Sequence, residues 1–314
     1  MIAMDHNTYQ NTIGILYPGE MGTSIGRLLR EAGFCVVTTV EGRSSRTQRL
    51  CDEAGLTALA SLGGVLERSH IVISLVSPRA ALSLARDVAA LRERPCRRLL
   101  YLDANSISPK TVAQIAEVLR DASVDFVDGA IFGLASQLQK RGTLYLSGSR
   151  ATELLAQFGS LIAVKVAGEM PGQASALKMI VSGIPKGLSA LFIETMLFAQ
   201  HMHLLDEALG ACDEIYPSIM EIMNRMLPTY PRHAVRRCEE LQEVEESMLR
   251  SGLKPRIVPA VREVTSAVAN VGWLNNNRDF RQWTIPEIVE QIHREGTLQP
   301  PNSQSISAEA AEQA

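Results

Sequence analysis

Short apolar runs that do not alternate with polar residues recur through the first half of the chain. Asn11–Leu16, Phe34–Val40, His70–Val76, Arg98–Asp103 and Val124–Val127 are of this kind, and Thr143–Ser147 and Val164–Ala167 are weaker examples. Between them, apolar residues fall at helical spacing in Gly22–Ala32, Ser45–Ala54, Arg79–Leu91 and Lys110–Ala122. Unalternating apolar strands separated by helices are those of a parallel sheet covered on both faces. Beyond about residue 168 no convincing strand follows. Helical periodicity runs from Gly172 to Gly272, with breaks at Pro217, Leu227–Pro231 and Gly252–Pro255. The first of these helices, Ala174–Met202, is apolar on most faces, which suits burial between domains or subunits. Pro185 lies inside it and is expected to kink or split it.

These patterns predict an α/β chain. A Rossmann-type, doubly wound parallel sheet occupies residues 1–167, and an all-α substrate and dimerisation domain occupies 168–297. The Pro-, Ser- and Gln-rich tail, 298–314, carries too little apolar surface to pack and is expected to be disordered.

Composition narrows the function classes. Net charge is −3, so nothing asks for nucleic acid or an anionic membrane as partner. Five cysteines (Cys35, Cys51, Cys96, Cys212 and Cys238) are scattered and form no C-x-x-C pair, which fits a reducing compartment. The opening MIAMDHNTYQ lacks the apolar core of a secretory signal, and no uninterrupted apolar stretch reaches membrane-span length. A soluble, cytoplasmic protein is expected.

The clearest chemical signal is Ile13-Gly14-Ile15-Leu16-Tyr17-Pro18-Gly19-Glu20-Met21-Gly22, leading into a helix. A dinucleotide fold needs a tight turn after its first strand, so that a helix N-terminus points backbone N–H groups at the pyrophosphate. Gly19 permits close approach of backbone and phosphate, and Gly22 permits the helix to pack on the strand. The first glycine of a G-x-G-x-x-G frame is missing, because Tyr17 and Pro18 stand there. The flanking strand and helix supply the context that the motif requires. A turn in an α/β domain that binds no nucleotide is the alternative.

The segment resembles the opening of the β-hydroxyacid dehydrogenase superfamily, related to 6-phosphogluconate and 3-hydroxyisobutyrate dehydrogenases. Its Pro-Gly-Glu-Met-Gly form is similar to the branch with a DUF1932 C-terminal domain. Glu41-Gly42-Arg43-Ser44, Asp103-Ala104-Asn105-Ser106, Val127-Asp128-Gly129-Ala130-Ile131 and Ala174-Ser175-Ala176-Leu177-Lys178-Met179 extend the resemblance in order. It implies an NAD(P)-dependent oxidoreductase acting on a secondary alcohol or its carbonyl. Tyr17, Pro18, Gly19, Glu20, Met21 and Gly22 are its implied phosphate turn. After the second strand, an acid would hold the ribose of NAD and an arginine the 2′-phosphate of NADP. Glu41 offers the first and Arg43, Ser44 and Arg46 the second, and a planar guanidinium beside a hydroxyl favours NADP(H) over NAD(H). Plain solvation of these arginines is the competing reading. Ser77 and Asn105 are implied contacts on the nicotinamide ribose side, although Asn105 and Ser106 could instead cap the Lys110 helix.

Relatives of this kind carry a general acid/base lysine on the first long helix of the second domain, and the matching residue is Lys178. Desolvation on an apolar helix lowers a lysine's pKa toward the range of a proton shuttle, although helix lysines commonly snorkel at the surface. Where many relatives have Asn four residues on, this chain has Ser182. Where they have a Ser-Gly-Gly carboxylate turn, it has Phe132-Gly133-Leu134. Phe132 implies a more apolar pocket wall, so a simple 3-hydroxy acid is a doubtful substrate. Lys186, His233 and Arg236 are candidates for an anionic substrate group, with solvation of Lys186 and pairing of Arg236 and Arg237 to Glu239, Glu240 or Glu243 as alternatives. His201 and His203 face different ways on a helix, and no metal is expected. Imine reduction on the same scaffold and a non-catalytic nucleotide-binding role are the rival functions. A small-molecule substrate and a homodimer are the expected partners, the dimer from the surplus of apolar helical surface.

Overall fold

The computed structural model describes residues 11–92, 98–273, 283–296 and 298. Cys96 and the tail beyond Leu298 lie outside the described residues. Contacts divide the chain into units Met1–Met179 and Ile180–Ala314.

In the first unit the described strands are β1 (Thr12–Leu16), β2 (Cys35–Thr39), β3 (Thr57–Leu59), β4 (Ile71–Ser74), β5 (Leu100–Asp103), β6 (Asp125–Phe132), β7 (Thr143–Ser147) and β8 (Ala163–Gly168). They form one sheet in the order β3-β2-β1-β4-β5-β6-β7-β8. Neighbours from β3 through β6 are parallel. Two faces of burial follow from the pleat. Ile13, Ile15 and Val36 join Leu29, Cys51 and Phe158 on one side, while Leu16, Val37 and Val72 join Val65, Leu84 and Ile115 on the other. The order reverses between β1 and β4, the crevice where α/β sheets bind ligands at their carboxyl edge.

The sheet departs from the sequence pattern in two places. Thr57–Leu59 is a short, largely exposed edge strand with no apolar signature, and it is followed by a helix over Leu62–Arg68. More consequential is β7, which runs antiparallel to β6, with Phe132 opposite Thr143 and Asp128 opposite Ser147. The all-parallel expectation therefore ends at β6.

Helices of the first unit used below are α1 (Glu20–Glu31), α2 (Ser45–Glu53), α3 (Leu62–Arg68), α4 (Pro78–Leu91) and α5 (Pro109–Asp121). Two more, α6 (Leu138–Arg141) and α7 (Ala151–Phe158), precede the 29-residue α8 (Gln173–His201), which begins in the first unit and ends in the second. The division thus falls inside α8 rather than ahead of it at residue 168. Its first turn is bonded to the sheet: Ser175 and Ala174 donate backbone N–H groups to Asp128 and Ser147. Pro185 does not split the helix, and Ser189 Oγ donates to the Pro185 carbonyl at 2.8 Å. By length and mean hydropathy (1.4) α8 is apolar enough to cross a membrane. Its later turns instead send Phe192, Ile193 and Met196 into the core of the second unit.

In the second unit α9 (Leu205–Ile215), α10 (Pro217–Met226), α11 (Tyr230–Arg250), α12 (Ile257–Ala269) and α13 (Ile285–Glu295) surround that core. Tyr230, Leu241, Val264, Val268 and Ile288 are buried in it, and Trp273 packs edge-on against Trp283. No strand occurs among its described residues.

Candidate cofactor and catalytic site

β1 ends at Leu16, and the chain turns through Tyr17 and Pro18 into α1. Tyr17 has φ +48°, the left-handed conformation that favours glycine. The glycine missing from the motif is therefore replaced in identity but not in shape, at a backbone cost of about 1–2 kcal/mol. Gly19 is the N-cap of α1 at φ −100° and ψ −155°, a conformation open to other residues. A Cβ added there meets nothing within 4 Å. Gly22 differs, since its Cβ would lie 2.8 Å from Pro18 Cβ and 3.4 Å from Ile15 Cγ2. Close packing of α1 on β1 thus requires Gly22, while neither conformation nor packing requires Gly19. The first-turn N–H groups of α1, including those of Glu20 and Met21, have no side-chain cap, as a phosphate-binding helix end requires.

Across the turn, β2 delivers Glu41, Gly42 and Arg43, all exposed, with Gly42 at φ +68°. Burial raises the Tyr17 hydroxyl's pKa. Glu41 and Asp87 raise it further and Arg43 opposes them, so the phenol shares its surroundings with both predicted ribose readers. The Ser44 hydroxyl caps α2 by accepting from Thr47 N. Arg46 forms an ion pair with Glu20. Both are about two-thirds exposed, at 67% and 65%, so the pair is worth under about 1 kcal/mol and opens readily to a competing anion.

Ser77 is exposed at the start of α4 and makes no side-chain cap. Asn105, predicted as a cofactor contact or a cap, does not cap the following helix and is held in a structural network. At 2% exposure, its Oδ1 accepts from Val76 N (2.6 Å) and its Nδ2 donates to Ser74 Oγ and Asp103 Oδ2 (both 2.9 Å). Both amide protons are spent tying the end of β4 to the end of β5. The cap of α5 is Ser108, which accepts from Thr111 N. Burial pushes the Asp103 carboxyl up to about 7, against the opposing hydrogen bonds from Asn105 and with a further rise from Asp128.

Lys178 stands one turn into α8, and its Nζ donates to Ser106 Oγ at 2.7 Å. Behind it lies Asp128, fully buried beside Asp103 in the β5–β6 register. Asp128 Oδ2 accepts from Ser147 Oγ (2.9 Å), Gly172 N (3.0 Å) and Ser175 N (3.0 Å), and Oδ1 accepts from Ser175 Oγ (2.6 Å). Ser106, Asp128, Ser147 and Ser175 were not among the predicted site residues. An acid inside the apolar run Val127–Ile131 was the available signal for Asp128. Phe132 is half-buried and packs edge-on against Tyr145 with ring centres 5.2 Å apart, and Gly133 turns the chain at φ +124°.

The other predicted substrate residues belong to the second unit. Lys186 is 4% exposed; its Nζ pairs with Glu240 Oε2 at 2.8 Å and donates to Ser182 Oγ at 3.3 Å. A buried, paired ammonium is not free to receive a substrate anion, and Ser182 is engaged in holding it. Arg236 pairs with the same carboxylate at 3.5 Å, as its helix-pair alternative anticipated. Burial, reinforced by Arg236, Arg237 and Arg232 against Glu240, depresses His233 to about 4, so it is neutral at pH 7. Arg237 stacks over Tyr230 at 4.2 Å and donates to Thr229 Oγ1 at 2.6 Å.

The NAD binding domain of 6-phosphogluconate dehydrogenase matches this chain over residues 12–163, and a domain of unknown function, DUF1932, matches it over 199–268. An uncharacterized 28.5 kDa protein of Methanothermus fervidus is 28% identical over 255 residues, covering 80% of this chain and 96% of that protein. A solved conserved protein of unknown function, described as structurally similar to 3-hydroxyacid dehydrogenases, is 30% identical with a TM-score of 0.66, covering 82% of this chain and 96% of its own. 3-Hydroxyisobutyrate dehydrogenase from Salmonella typhimurium is 20% identical with a TM-score of 0.65, covering 89% and 99%. An imine reductase from Bacillus cereus is 17% identical with a TM-score of 0.55, covering 83% and 94%. At these last two identities the likeness is one of fold alone. With its open helix terminus at Gly19 and its helical second unit, the chain belongs to the 6-phosphogluconate dehydrogenase-like superfamily, in the branch whose NAD-binding domain is followed by DUF1932.

Proposed function

We propose that the protein is an NADP(H)-dependent oxidoreductase that interconverts a secondary alcohol and its carbonyl on a small polar substrate, with Lys178 as general acid/base. The observation that carries the reading is the pairing of an open phosphate cradle with a held amine on one sheet. Gly19 leaves the N-terminus of α1 clear, and Lys178 Nζ sits on Ser106 Oγ at 2.7 Å, just past the end of β5. A nicotinamide dinucleotide supplies the hydride acceptor or donor when bound. The N–H groups of Glu20, Met21 and Gly22 would hold its pyrophosphate, and Arg43, near Tyr17, would hold the 2′-phosphate. Lys178 takes the hydroxyl proton as the alcohol is oxidised and returns it in reduction. Phe132, edge-on against Tyr145, stands where relatives carry a carboxylate turn, which favours a substrate with an apolar group.

A homodimer belongs to the same reading. Ile180, Ile184, Leu191 and Phe198 are 66%, 65%, 61% and 67% exposed, and they fall along one stripe of α8. Sedimentation velocity would report a single 34.3 kDa species if that stripe has no partner copy.

The test is a fluorescence titration with NADPH and NADH, followed by a panel of secondary alcohols, 3-hydroxy acids and cyclic imines. Arg43→Ala is expected to weaken NADPH about tenfold, the loss of one charge-assisted contact, and to leave NADH unchanged. Lys178→Met is expected to abolish alcohol oxidation with cofactor binding intact. Equal affinity for both nucleotides would remove the NADP assignment. Alcohol turnover surviving in Lys178→Met would remove the lysine, and cyclic-imine reduction alone surviving there would point to imine chemistry.

A further inference from the structure

Side-chain capping by a hydroxyl at the N-cap is local where it occurs among the described helices. Ser44, Ser61, Ser108 and Thr284 each cap the helix that follows them with their own hydroxyl. The helix that carries Lys178 is handled differently. Its N-terminus is bonded by Asp128, which lies in strand β6, 44 residues before Gly172 and 47 before Ser175. A buried carboxylate costs several kcal/mol to desolvate, and a local serine would satisfy the same N–H groups without that cost. What the strand carboxylate adds is location, since a local cap ends a helix whereas Asp128 fixes it to the sheet. Ser175 is bonded to Asp128 at two atoms, N at 3.0 Å and Oγ at 2.6 Å, and Ala174 N is bonded to Ser147 Oγ at 3.0 Å. Lys178 is three residues beyond Ser175, about 4.5 Å along the axis and on the same face. Its amine then meets Ser106 Oγ at the end of β5, the strand beside β6.

We propose that Asp128 and Ser106 are positioning residues for Lys178. Asp128, through Ser175, sets the height and rotation of the lysine's helix turn, and Ser106 holds the amine itself at the carboxyl edge of β5. The proposal rests on Lys178 as the acid/base, but its test does not require a substrate.

Trace acetylation of the full chain with acetic anhydride across pH 6–10, read by mass spectrometry of the Lys178 peptide, gives that amine's reactivity, with exposed Lys110 and Lys140 as internal controls. Removing the Ser106 hydroxyl takes away an acceptor for the ammonium, so the labelling midpoint falls. Ser106→Ala is expected to raise Lys178 labelling at neutral pH about threefold, equivalent to half a pKa unit, and Ser106→Thr to restore it. Asp128→Asn is expected to do the same at Lys178 alone and to speed amide exchange over residues 172–176. Ser175→Ala, which keeps the buried charge, repeats the effect should Asp128→Asn not fold, and Ser175→Thr reverses it. Faster exchange at 172–176 with parental Lys178 labelling would overturn the proposal and leave Asp128 as a cap only. Unchanged labelling in Ser106→Ala would overturn the part played by Ser106. NADPH titration of the same proteins keeps the two readings apart, because failure of the parent to bind NADPH sinks the cofactor assignment without touching the labelling result.

Discussion

Two glycines three residues apart make opposite predictions when each gains a methyl group. At Gly19 the added Cβ has no neighbour within 4 Å and the backbone already lies where alanine is at ease. The fold should register Gly19→Ala by under about 1 kcal/mol, the weaker N-cap being the main term. On the proposed reading, however, the methyl would occupy open space at the N-terminus of α1 that a bound pyrophosphate needs. A pyrophosphate there must move outward, and the loss of one or two charge-assisted bonds weakens NADPH about ten- to hundredfold. At Gly22 alanine gains about 1 kcal/mol of helix propensity. Against that gain its Cβ falls 2.8 Å from Pro18 Cβ, on a buried ring with fixed φ next to left-handed Tyr17. That neighbour cannot give way, and overpacking of this kind costs about 1–3 kcal/mol. Gly22→Ala should therefore be destabilised by up to about 2 kcal/mol net, lowering the melting temperature by up to roughly 8 °C, and should also bind NADPH poorly because the turn shifts. Differential scanning fluorimetry and fluorescence titration on both variants decide the matter. Parental NADPH affinity in Gly19→Ala, or a melting temperature that falls as far as that of Gly22→Ala, would refute the assignment of Gly19 to the ligand.

Further expectations concern charge. Burial raises Asp103 from 3.8 to about 7, so between those values the native state holds a proton that the unfolded chain has released. Its contribution to stability is complete below about pH 4 and is lost as pH rises to 7, up to about 4 kcal/mol; Asp103→Asn should flatten that part of a urea-unfolding profile, and an unaltered profile contradicts it. His233 works in the opposite sense: with its native pKa depressed to about 4, its contribution is present above pH 6.5 and lost as pH falls toward 4. An NMR titration of its ring should have a midpoint near 4, and a midpoint at 6.5 refutes the burial argument. The Lys186–Glu240 pair should be asymmetric, because the lysine side chain is 6% exposed and the glutamate 30%. Glu240→Gln strands a buried ammonium and should cost about 3 kcal/mol, whereas Lys186→Met leaves a carboxylate that water can reach and should cost about 1 kcal/mol; the reverse order in chemical unfolding would be decisive against it.

The parallel half of the sheet was legible because buried parallel strands are continuously apolar, as Ile71–Ser74 and Leu100–Asp103 are. Thr57–Leu59 escaped because an exposed edge strand leaves no such trace. Apolar pattern reports how deeply a strand is buried on its two faces and does not fix the direction of one strand against its neighbour, so the reversal at β7 could be inferred only from its connection. The link over 133–142 is shorter than the dozen residues a parallel crossover needs. At the candidate site, the turn from β1 into α1 and the packing glycine Gly22 were legible because strand, turn and helix follow one another at fixed spacing, whereas Lys178 was singled out by its place in a segment resembling the family's. The structural bonds of Ser44 and Asn105 were not legible because a polar residue after a strand serves backbone and ligand equally well. Which it serves depends on whether a partner such as Val76 N or Thr47 N lies within reach. Asp128 required the folded register, since its four donors come from residues 147, 172 and 175.

The reversed strand has a consequence for how this scaffold can vary in length. Because Asp128 is level with the end of β5, the last four residues of β6 run on past the parallel strands, for about 13 Å at ~3.3 Å per residue. β7 returns along that overhang and brings Tyr145 back beside Phe132. The overhang is a wall of adjustable height whose foot is set by Asp128 and whose top is the Gly133 turn. Adding or removing residues in pairs near that turn would raise or lower the wall while keeping the same faces inward. A change of one would turn Phe132 to the other face. The height of this hairpin can thus be altered in steps of two residues without disturbing the parallel strands β1 to β5.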